Sequence, residues 1–267
     1  MARKPAVSGQ FYTGNEKALK KELLSLTSQK KDKINALGAV SPHAGYMYSG
    51  AVAGEVLSSI KPKPAYIILG PNHTGLGKPL GLDAVRNWQT PLGEARIDKE
   101  LCKAILDVSK FIKQDGLSHD REHSIEVQLP FLQYLNRDFT FVPISVSLGE
   151  RGLYANIGKE LATAVKQSKK EVTIIASSDM THYEPQQEAK KKDMLAIDRI
   201  LKLDVAGFLS TIEKYGISMC GFEPAAIMME ACLELGAKKA KLIKYATSGD
   251  TTGDYSAVVG YAGIVIY

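Results

Sequence analysis

The sequence has few cysteines, few histidines and no long hydrophobic run. Its three cysteines, Cys102, Cys220 and Cys232, cannot all pair within one chain, and their spacing is not that of a disulfide framework, which fits a reducing compartment. No segment approaches the roughly 18 uninterrupted apolar residues of a membrane span. The first residues, Met1–Pro5, contain no apolar signal core. These absences predict a cytoplasmic protein that does not associate with membranes.

The usual signatures of nucleotide and nucleic-acid binding are also missing. Neither G-x-x-x-x-G-K-[ST] nor G-x-G-x-x-G occurs, and residues 249–254 resemble a phosphate loop only loosely, so a polar turn between strands is the better interpretation. The net charge of +5 comes mostly from lysines scattered in short clusters, whereas a nucleic-acid-binding protein gathers arginines and aromatic residues on one element. We therefore expect no nucleic-acid partner.

What the sequence does contain is a regular alternation of helical and strand-like segments. Its 267 residues suit one large α/β domain with a substantial core, and no repeat, low-complexity stretch or long linker divides them. This pattern predicts a single domain over residues 1–267, built as a three-layer sandwich with a mostly parallel central sheet and helices on both faces. One helix is predicted from about Arg121 to Leu135, interrupted by Pro130.

Three of the five histidines stand just past the end of a short apolar run. His43, His73 and His182 follow the runs at 36–40, 65–69 and 172–176, respectively. If these runs are parallel strands of one sheet, the three imidazoles lie at its carboxyl edge, where open α/β sheets bind ligands. Imidazole is the commonest metal ligand in proteins. The alternative for each residue is a loop histidine hydrogen-bonded to its own turn.

Asp179 and His182 are three residues apart beyond a strongly apolar strand. On a helical turn that spacing would place the carboxylate beside the imidazole, where it would fix the tautomer and raise the basicity of a general acid/base. The alternative is an aspartate that caps the following helix and a surface histidine.

Cys220 precedes a predicted helix that has Pro224 near its first position. The helix dipole and backbone donors there favour a thiolate, which is a metal ligand or a nucleophile. Cys102 and Cys232 instead fall inside apolar helix faces and are predicted to be buried hydrophobic residues. A buried structural role is the alternative for Cys220 as well.

The segment from His119 to His123 matches the H-x-x-E-H pattern of inverted zinc peptidases. That pattern has meaning only on a regular helix with a distant third ligand, and Gly116 and Pro130 lie close on either side. Independently of a peptidase role, His123 and Glu126 could reach the same cleft.

Taken together, several stretches resemble the Memo family over nearly the whole chain. They are residues 3–12 (RKPAVSGQFY), 42–50 (PHAGYMYSG), 70–73 (GPNH), 122–130 (EHSIEVQLP), 178–183 (SDMTHY) and 220–221 (CG). The resemblance implies a fold similar to that of the class III extradiol ring-cleaving dioxygenases, around a non-haem metal site. It also implies binding of iron or copper, with zinc as a further option. Mammalian members are described as peptide-binding effectors of cell motility, and prokaryotic members are often encoded beside radical-SAM proteins.

The resemblance also assigns roles to particular residues. Carried over by position, the metal ligands would be His43, His73 and Cys220. His182, supported by Asp179, would correspond to the acid/base histidine, Tyr48 would line the pocket, and His123 is a further candidate catalytic residue.

This ligand set differs from that of the dioxygenases, which use two histidines and a carboxylate. A thiolate in the third position favours softer metals, and Glu223 could instead supply the missing carboxylate. The first hypothesis is therefore a metal-dependent, dioxygenase-like oxidoreductase acting on an unknown small molecule. The alternatives are a non-catalytic module that binds a peptide or protein in the same cleft, and a zinc peptidase that uses His119 and His123.

Overall fold

The computed structural model describes residues 2–28, 32–149 and 152–267, whose strands form one 11-stranded mixed sheet. In chain order the strands are β1 (Gly38–Ser41), β2 (Ala65–Pro71), β3 (Leu80–Leu82), β4 (Trp88–Thr90), β5 (Gly93–Ile97), β6 (Lys113–Gln114), β7 (Thr140–Val146), β8 (Val172–Ser177), β9 (His182–Glu184), β10 (Ala240–Thr247) and β11 (Val258–Ile266). The main path of the sheet is β10-β11-β1-β8-β2-β7-β3-β6. Strands β4, β5 and β9 pair off this path.

The centre of the sheet is parallel, and its strands are apolar along their whole length. β1, β8, β2 and β7 pair in parallel, and nearly every residue in them is buried. Continuous apolar runs of this kind are typical of strands covered on both faces. Outside this centre, β11 pairs antiparallel with β1, β9 and β10, and β3 pairs antiparallel with β7. The predicted mostly parallel sheet is thus a mixed sheet with a parallel centre.

Helices cover both faces of this sheet. They are α1 (Glu16–Leu26), α2 (Tyr46–Ser58), α3 (Lys99–Val108), α4 (Leu129–Leu135), α5 (Tyr154–Ser168), α6 (Gln186–Leu201), α7 (Val205–Tyr215), α8 (Phe222–Glu234) and α9 (Gly249–Thr252). Residues 249–254, interpreted from sequence as a polar turn between strands, do connect β10 to β11, and they include the single helical turn α9.

Two glycines show how closely the helices approach the sheet. A Cβ atom at Gly38 would lie 2.5 Å from the sulfur atoms of Met228 and Cys232 in α8. A Cβ atom at Gly263 would lie 2.9 Å from the Cβ of Val56 in α2. Gly38 pairs with Ile266, three residues beyond Gly263, so the two glycines face opposite sides of the sheet. α8 and α2 therefore pack on opposite faces.

The predicted helix from Arg121 to Leu135 is wrong in its first half. Residues Leu117–His119 and Glu126–Gln128 form 3₁₀ turns, and the α-helix begins only at Leu129, with Pro130 in its first turn. The carboxylate of Glu122 accepts hydrogen bonds from the backbone N–H groups of the two residues that follow it. These bonds hold the backbone in a turn between the two 3₁₀ segments, where the sequence predicts the first turns of a helix.

Among the described residues, no helix combines the length and the apolar character that a membrane crossing requires.

Candidate metal centre

The imidazoles of His43, His73 and His123 converge at the carboxyl edge of the sheet, where one nitrogen from each lies within 4.8 Å of the others. His43 follows β1 and His73 follows β2, and both strands pair in parallel with β8. The two residues therefore leave the same edge, as the sequence predicts. His123 reaches the cluster from the loop between the two 3₁₀ turns.

The orientation of His43 is fixed by buried hydrogen bonds. Its Nδ1 lies 3.0 Å from Ser177 Oγ, and that hydroxyl donates its own proton to the carbonyl oxygen of Ser124 at 2.6 Å. Ser177 Oγ must therefore accept a proton from Nδ1, which leaves Nε2 of His43 as the nitrogen with a free lone pair. Burial, and then the neighbouring charges of His123 and His73, lower the pKa of His43 well below its ordinary value, so the ring is neutral.

His73 is oriented by the carboxylate of Glu122. Its Nδ1 lies 3.0 Å from Glu122 Oε1, and its backbone N–H donates to Oε2 at 2.6 Å. Burial alone would lower the pKa of His73, but the hydrogen bond and the charge of Glu122 outweigh it and raise that pKa. A carboxylate that holds one ring nitrogen and leaves the other free is the usual support of a metal-binding histidine.

His123 lies against both His73 and Phe11. Its ring stacks on His73 with centroids 4.8 Å apart, and Phe11 contacts it at 4.8 Å between centroids. Burial, and then the charge of His73, lower the pKa of His123, although Glu122 acts in the opposite direction. Neutral imidazoles are the form that binds metals.

Cys220 lies beside this cluster, immediately before α8. Its Sγ is 3.3 Å from His43 Nε2 and accepts a hydrogen bond from the backbone N–H of Asp179 at 3.3 Å. Burial of the sulfur and the charge of Asp179 both raise the pKa of the thiol. A nitrogen and a sulfur bound to one tetrahedral ion would be roughly 3.5 Å apart, so these two atoms are placed as a pair of ligands would be.

Asp179 and His182 do not form the pair that the sequence predicts. His182 begins strand β9 instead of lying on a helical turn, and its Nδ1 donates to the carbonyl oxygen of Ser218 at 2.9 Å. Asp179 Oδ1 instead accepts the backbone N–H of His43 at 2.8 Å. Burial raises the pKa of Asp179 to about 6. The tautomer of His182 is therefore set by a backbone carbonyl, and the aspartate positions His43.

The side chains of three other candidate residues form hydrogen bonds outside the histidine cluster. His119 is fully buried with its Nε2 on the carbonyl oxygen of Gly81, so the H-x-x-E-H interpretation is wrong for this fold. Glu223 accepts hydrogen bonds from the backbone of Leu148 and Gly149 and from Tyr154. Glu126 accepts from Arg3, Ala6, Val7 and Tyr12. These side chains shape the surroundings of the cluster instead of entering it.

The histidine cluster opens into a cleft of about 600 Å³. Its lining includes Asp179 and His182 as well as Tyr48, the residue that the resemblance places in the pocket. It also includes residues that sequence reasoning missed, namely Phe11, Tyr183, Ser248, Thr252, Asp254 and Tyr261. Phe11 and Tyr183 lie within quoted motifs, and Thr252 and Asp254 lie in the stretch at 249–254 interpreted as a polar turn, so these could have been singled out. No local signal marks Ser248 or Tyr261.

The fold and the site together define the class of this protein. It is an α/β protein with a histidine-lined cleft at the carboxyl edge of its sheet. The chain belongs to the Memo family, because the family model described as "Memo-like protein" matches residues 3–265.

Close relatives are archaeal proteins named as MEMO1 family proteins. One from Methanosarcina acetivorans is 44% identical over 266 residues, covering 99% of this chain and 98% of the relative. Others from Methanopyrus kandleri and Pyrobaculum aerophilum are each 41% identical, covering 99% of both chains. The fold is also similar to that of an uncharacterized protein from Escherichia coli K12, with a TM-score of 0.56 and 9% identity over 85% of this chain and 98% of that chain. At this identity the likeness shows the fold alone.

Proposed function

We propose that this protein is a metal-dependent oxidoreductase that uses iron or copper to act on a small molecule bound in the cleft. The observation that supports this most is the convergence of three imidazoles on one point at the cleft floor, with the sulfur of Cys220 3.3 Å from one of them. Nitrogen and sulfur donors of this kind suit copper, iron and zinc, whereas magnesium and calcium prefer oxygen.

His43 and His73 would bind the ion through Nε2, because both Nδ1 atoms are engaged by Ser177 and Glu122. We propose Cys220 as the third ligand, with the imidazole of His123 as the competing donor. A bound iron or copper ion would supply one-electron redox chemistry.

The remaining roles fall to residues of the cleft wall. His182 holds a proton on Nδ1 against Ser218 O, and its Nε2 is left to exchange a proton with a bound molecule. Tyr48 lines the space in which that molecule lies. Asp179 holds the turn that carries His43.

Metal content after anaerobic purification and iron or copper loading tests the proposal. We expect about one ion per chain in the wild-type protein and in His182→Ala, and none in His73→Ala. Oxygen uptake with a panel of catechols then tests turnover, which His182→Ala should reduce. A wild-type protein that stays metal-free and inert after loading would contradict the proposal.

Cobalt(II) loading decides the third ligand, because a cobalt–thiolate bond gives a near-ultraviolet charge-transfer band and a cobalt–imidazole bond does not. We expect that band in the wild-type protein and in His123→Gln, and its loss in Cys220→Ser. A wild-type spectrum without the band would assign the third position to His123.

A second candidate function is a non-catalytic module that binds a peptide or protein. Large side chains stand exposed at positions flanking the lining residues, with Met47 66% and Tyr255 50% exposed. Substitution of His43 by Ala separates the two functions, because a binding module would keep its partner after losing the metal.

We also propose a cytoplasmic location, which the unpaired state of all three cysteines supports. A radical-SAM protein as partner stays a prediction from the resemblance.

A further inference from the structure

Tyr183, next to His182, occupies a backbone conformation that a bulky residue rarely adopts. Its φ angle is 59°, in the left-handed region that favours glycine. The residue is nevertheless 78% exposed, so packing in the core does not offset the strain. Strained residues of this kind cluster at functional sites.

The strain arises from the pairing of β9 with β11. Val258 pairs with Glu184 and Val259 pairs with His182, so Tyr183 is the extra residue of a β-bulge. In bulges where that residue is left-handed it is normally glycine. Bulges are frequent beside active sites because they redirect a side chain, and here the redirected side chain lines the cleft.

The wall around Tyr183 is rich in aromatic rings. Phe11, Tyr48 and Tyr261 line the same cleft. Burial and the charge of Asp179 raise the pKa of Tyr261, whose side chain is 2% exposed. Aromatic side chains favour offset-stacked or edge-to-face contact with another aromatic ring.

We propose that Tyr183 is a specificity-determining residue whose ring stacks on a planar aromatic ring of the small molecule bound in the cleft. The inference rests on the proposed function, because it takes the cleft above the histidine cluster as the binding site. The exposed ring then lacks a stacking partner only when that molecule is absent. The bulge keeps the ring in position to contact the molecule when it binds.

The test uses two probes with the same hydroxymethyl group and the same number of ring carbons, benzyl alcohol with a planar aromatic ring and cyclohexylmethanol with a saturated ring. Binding of each to the full-length protein is measured by saturation-transfer NMR, once with zinc bound and once after chelation. We expect a preference for benzyl alcohol of roughly three- to ten-fold, the range of a single aromatic contact. A merely apolar pocket would prefer cyclohexylmethanol, which is the less polar probe.

Variants at Tyr183 separate stacking from a structural role. Tyr183→Phe should keep the preference for benzyl alcohol, and Tyr183→Gly should abolish it. The unfolding temperature of Tyr183→Gly should equal or exceed that of the wild type, because glycine relieves the backbone strain. Lys169→Gly is the matched control, since Lys169 is exposed and has a φ angle of 55° at the end of α5. It should relieve strain without changing the binding of either probe.

Two results would overturn the inference. One is equal or reversed binding of the two probes by the wild-type protein, and the other is a preference that survives in Tyr183→Gly. The repeat after chelation shows whether the ring preference depends on the metal. A ring preference in a protein that binds no metal would contradict the proposed function alone. Metal binding without a ring preference would contradict this inference alone.

Discussion

Glu122 is the residue on which most of the candidate centre depends. Its carboxylate is 1% exposed and accepts four hydrogen bonds, from the backbone and ring of His73 and from the backbones of His123 and Ser124. Burial alone would raise the pKa of Glu122, but these donors and the nearby histidine charges lower it to about 2. One side chain thus orients the imidazole of His73 and holds the backbone that carries His123.

Glu122→Gln should make the protein less stable at neutral pH and weaken its metal binding. A carboxyl whose folded pKa lies below its unfolded value of 4.5 stabilises the protein above that value, and this contribution is lost as the pH falls from about 4.5 to about 2. The shift corresponds to about 3 kcal/mol in the free energy of unfolding. Denaturant unfolding between pH 2 and 7 should therefore show a difference between wild type and variant that shrinks toward acid pH.

His73 contributes with the opposite sign, because its raised pKa adds stability below its unfolded value of 6.5 that is lost as the pH rises. Glu188→Gln, in an exposed position on α6, is the control and should leave the profile unchanged. A Glu122→Gln profile that coincides with that of the wild type between pH 2 and 7 would show that this carboxylate does not stabilise the fold.

At the scale of elements, the N-terminal arm, residues 3–12, braces the loop that carries Glu122 and His123. Arg3 is 3% exposed and its guanidinium donates to the carbonyl oxygens of His119 and Glu122 and to the carboxylate of Glu126. The same carboxylate accepts from the backbone of the arm and from Tyr12. The guanidinium also lies 4.0 Å above the ring of Trp88.

Arg3→Met should destabilise the protein by about 3–5 kcal/mol, because it leaves the buried charge of the Glu126 carboxylate without the cation that pairs with it. It should also lower metal affinity about 10- to 100-fold, since the loop that presents His123 loses its support. Titration with zinc alongside denaturant unfolding measures both effects. Arg96→Met, which removes an exposed pair with Asp138, should change stability by less than about 1 kcal/mol. Wild-type zinc affinity in a folded Arg3→Met protein would contradict this role for the arm.

The elements also show where sequence reasoning succeeds and where it stops. His43, His73 and His182 could be placed at the sheet edge because each follows an apolar run that is long enough to identify a buried strand. The loop at 119–128 could not be predicted, because long-range bonds from Arg3 to its carbonyl oxygens and from His73 to the Glu122 carboxylate override its helical periodicity. No local pattern pairs His182 with Ser218, which is distant in sequence.

The sheet as a whole shows the same limit. Apolar runs identify strands, and their continuity indicates strands that are covered on both faces. β11 is equally apolar yet pairs antiparallel with β1, so direction is decided by chain connectivity instead of by composition.

Metal binding should stabilise the whole molecule, because the candidate ligands come from segments that are separated along the chain and meet only in the folded state. A free ion concentration of about 100 times the dissociation constant adds about 2.7 kcal/mol to the stability. For a chain of this size that corresponds to a rise of roughly 5–10 °C in Tm. Thermal unfolding with and without zinc checks this, and His73→Ala should show no rise. Metal that binds the wild type without raising Tm would place it outside the folded cluster.

Each imidazole of the cluster is supplied by a different part of the chain. His43 and His73 follow separate strands, and His123 belongs to a loop that the first residues of the protein hold in place. A fragment cut between these positions, or a chain still emerging from the ribosome, carries an incomplete set of donors. The candidate centre is thus assembled by folding, and any ion that it holds can bind only after these segments have met.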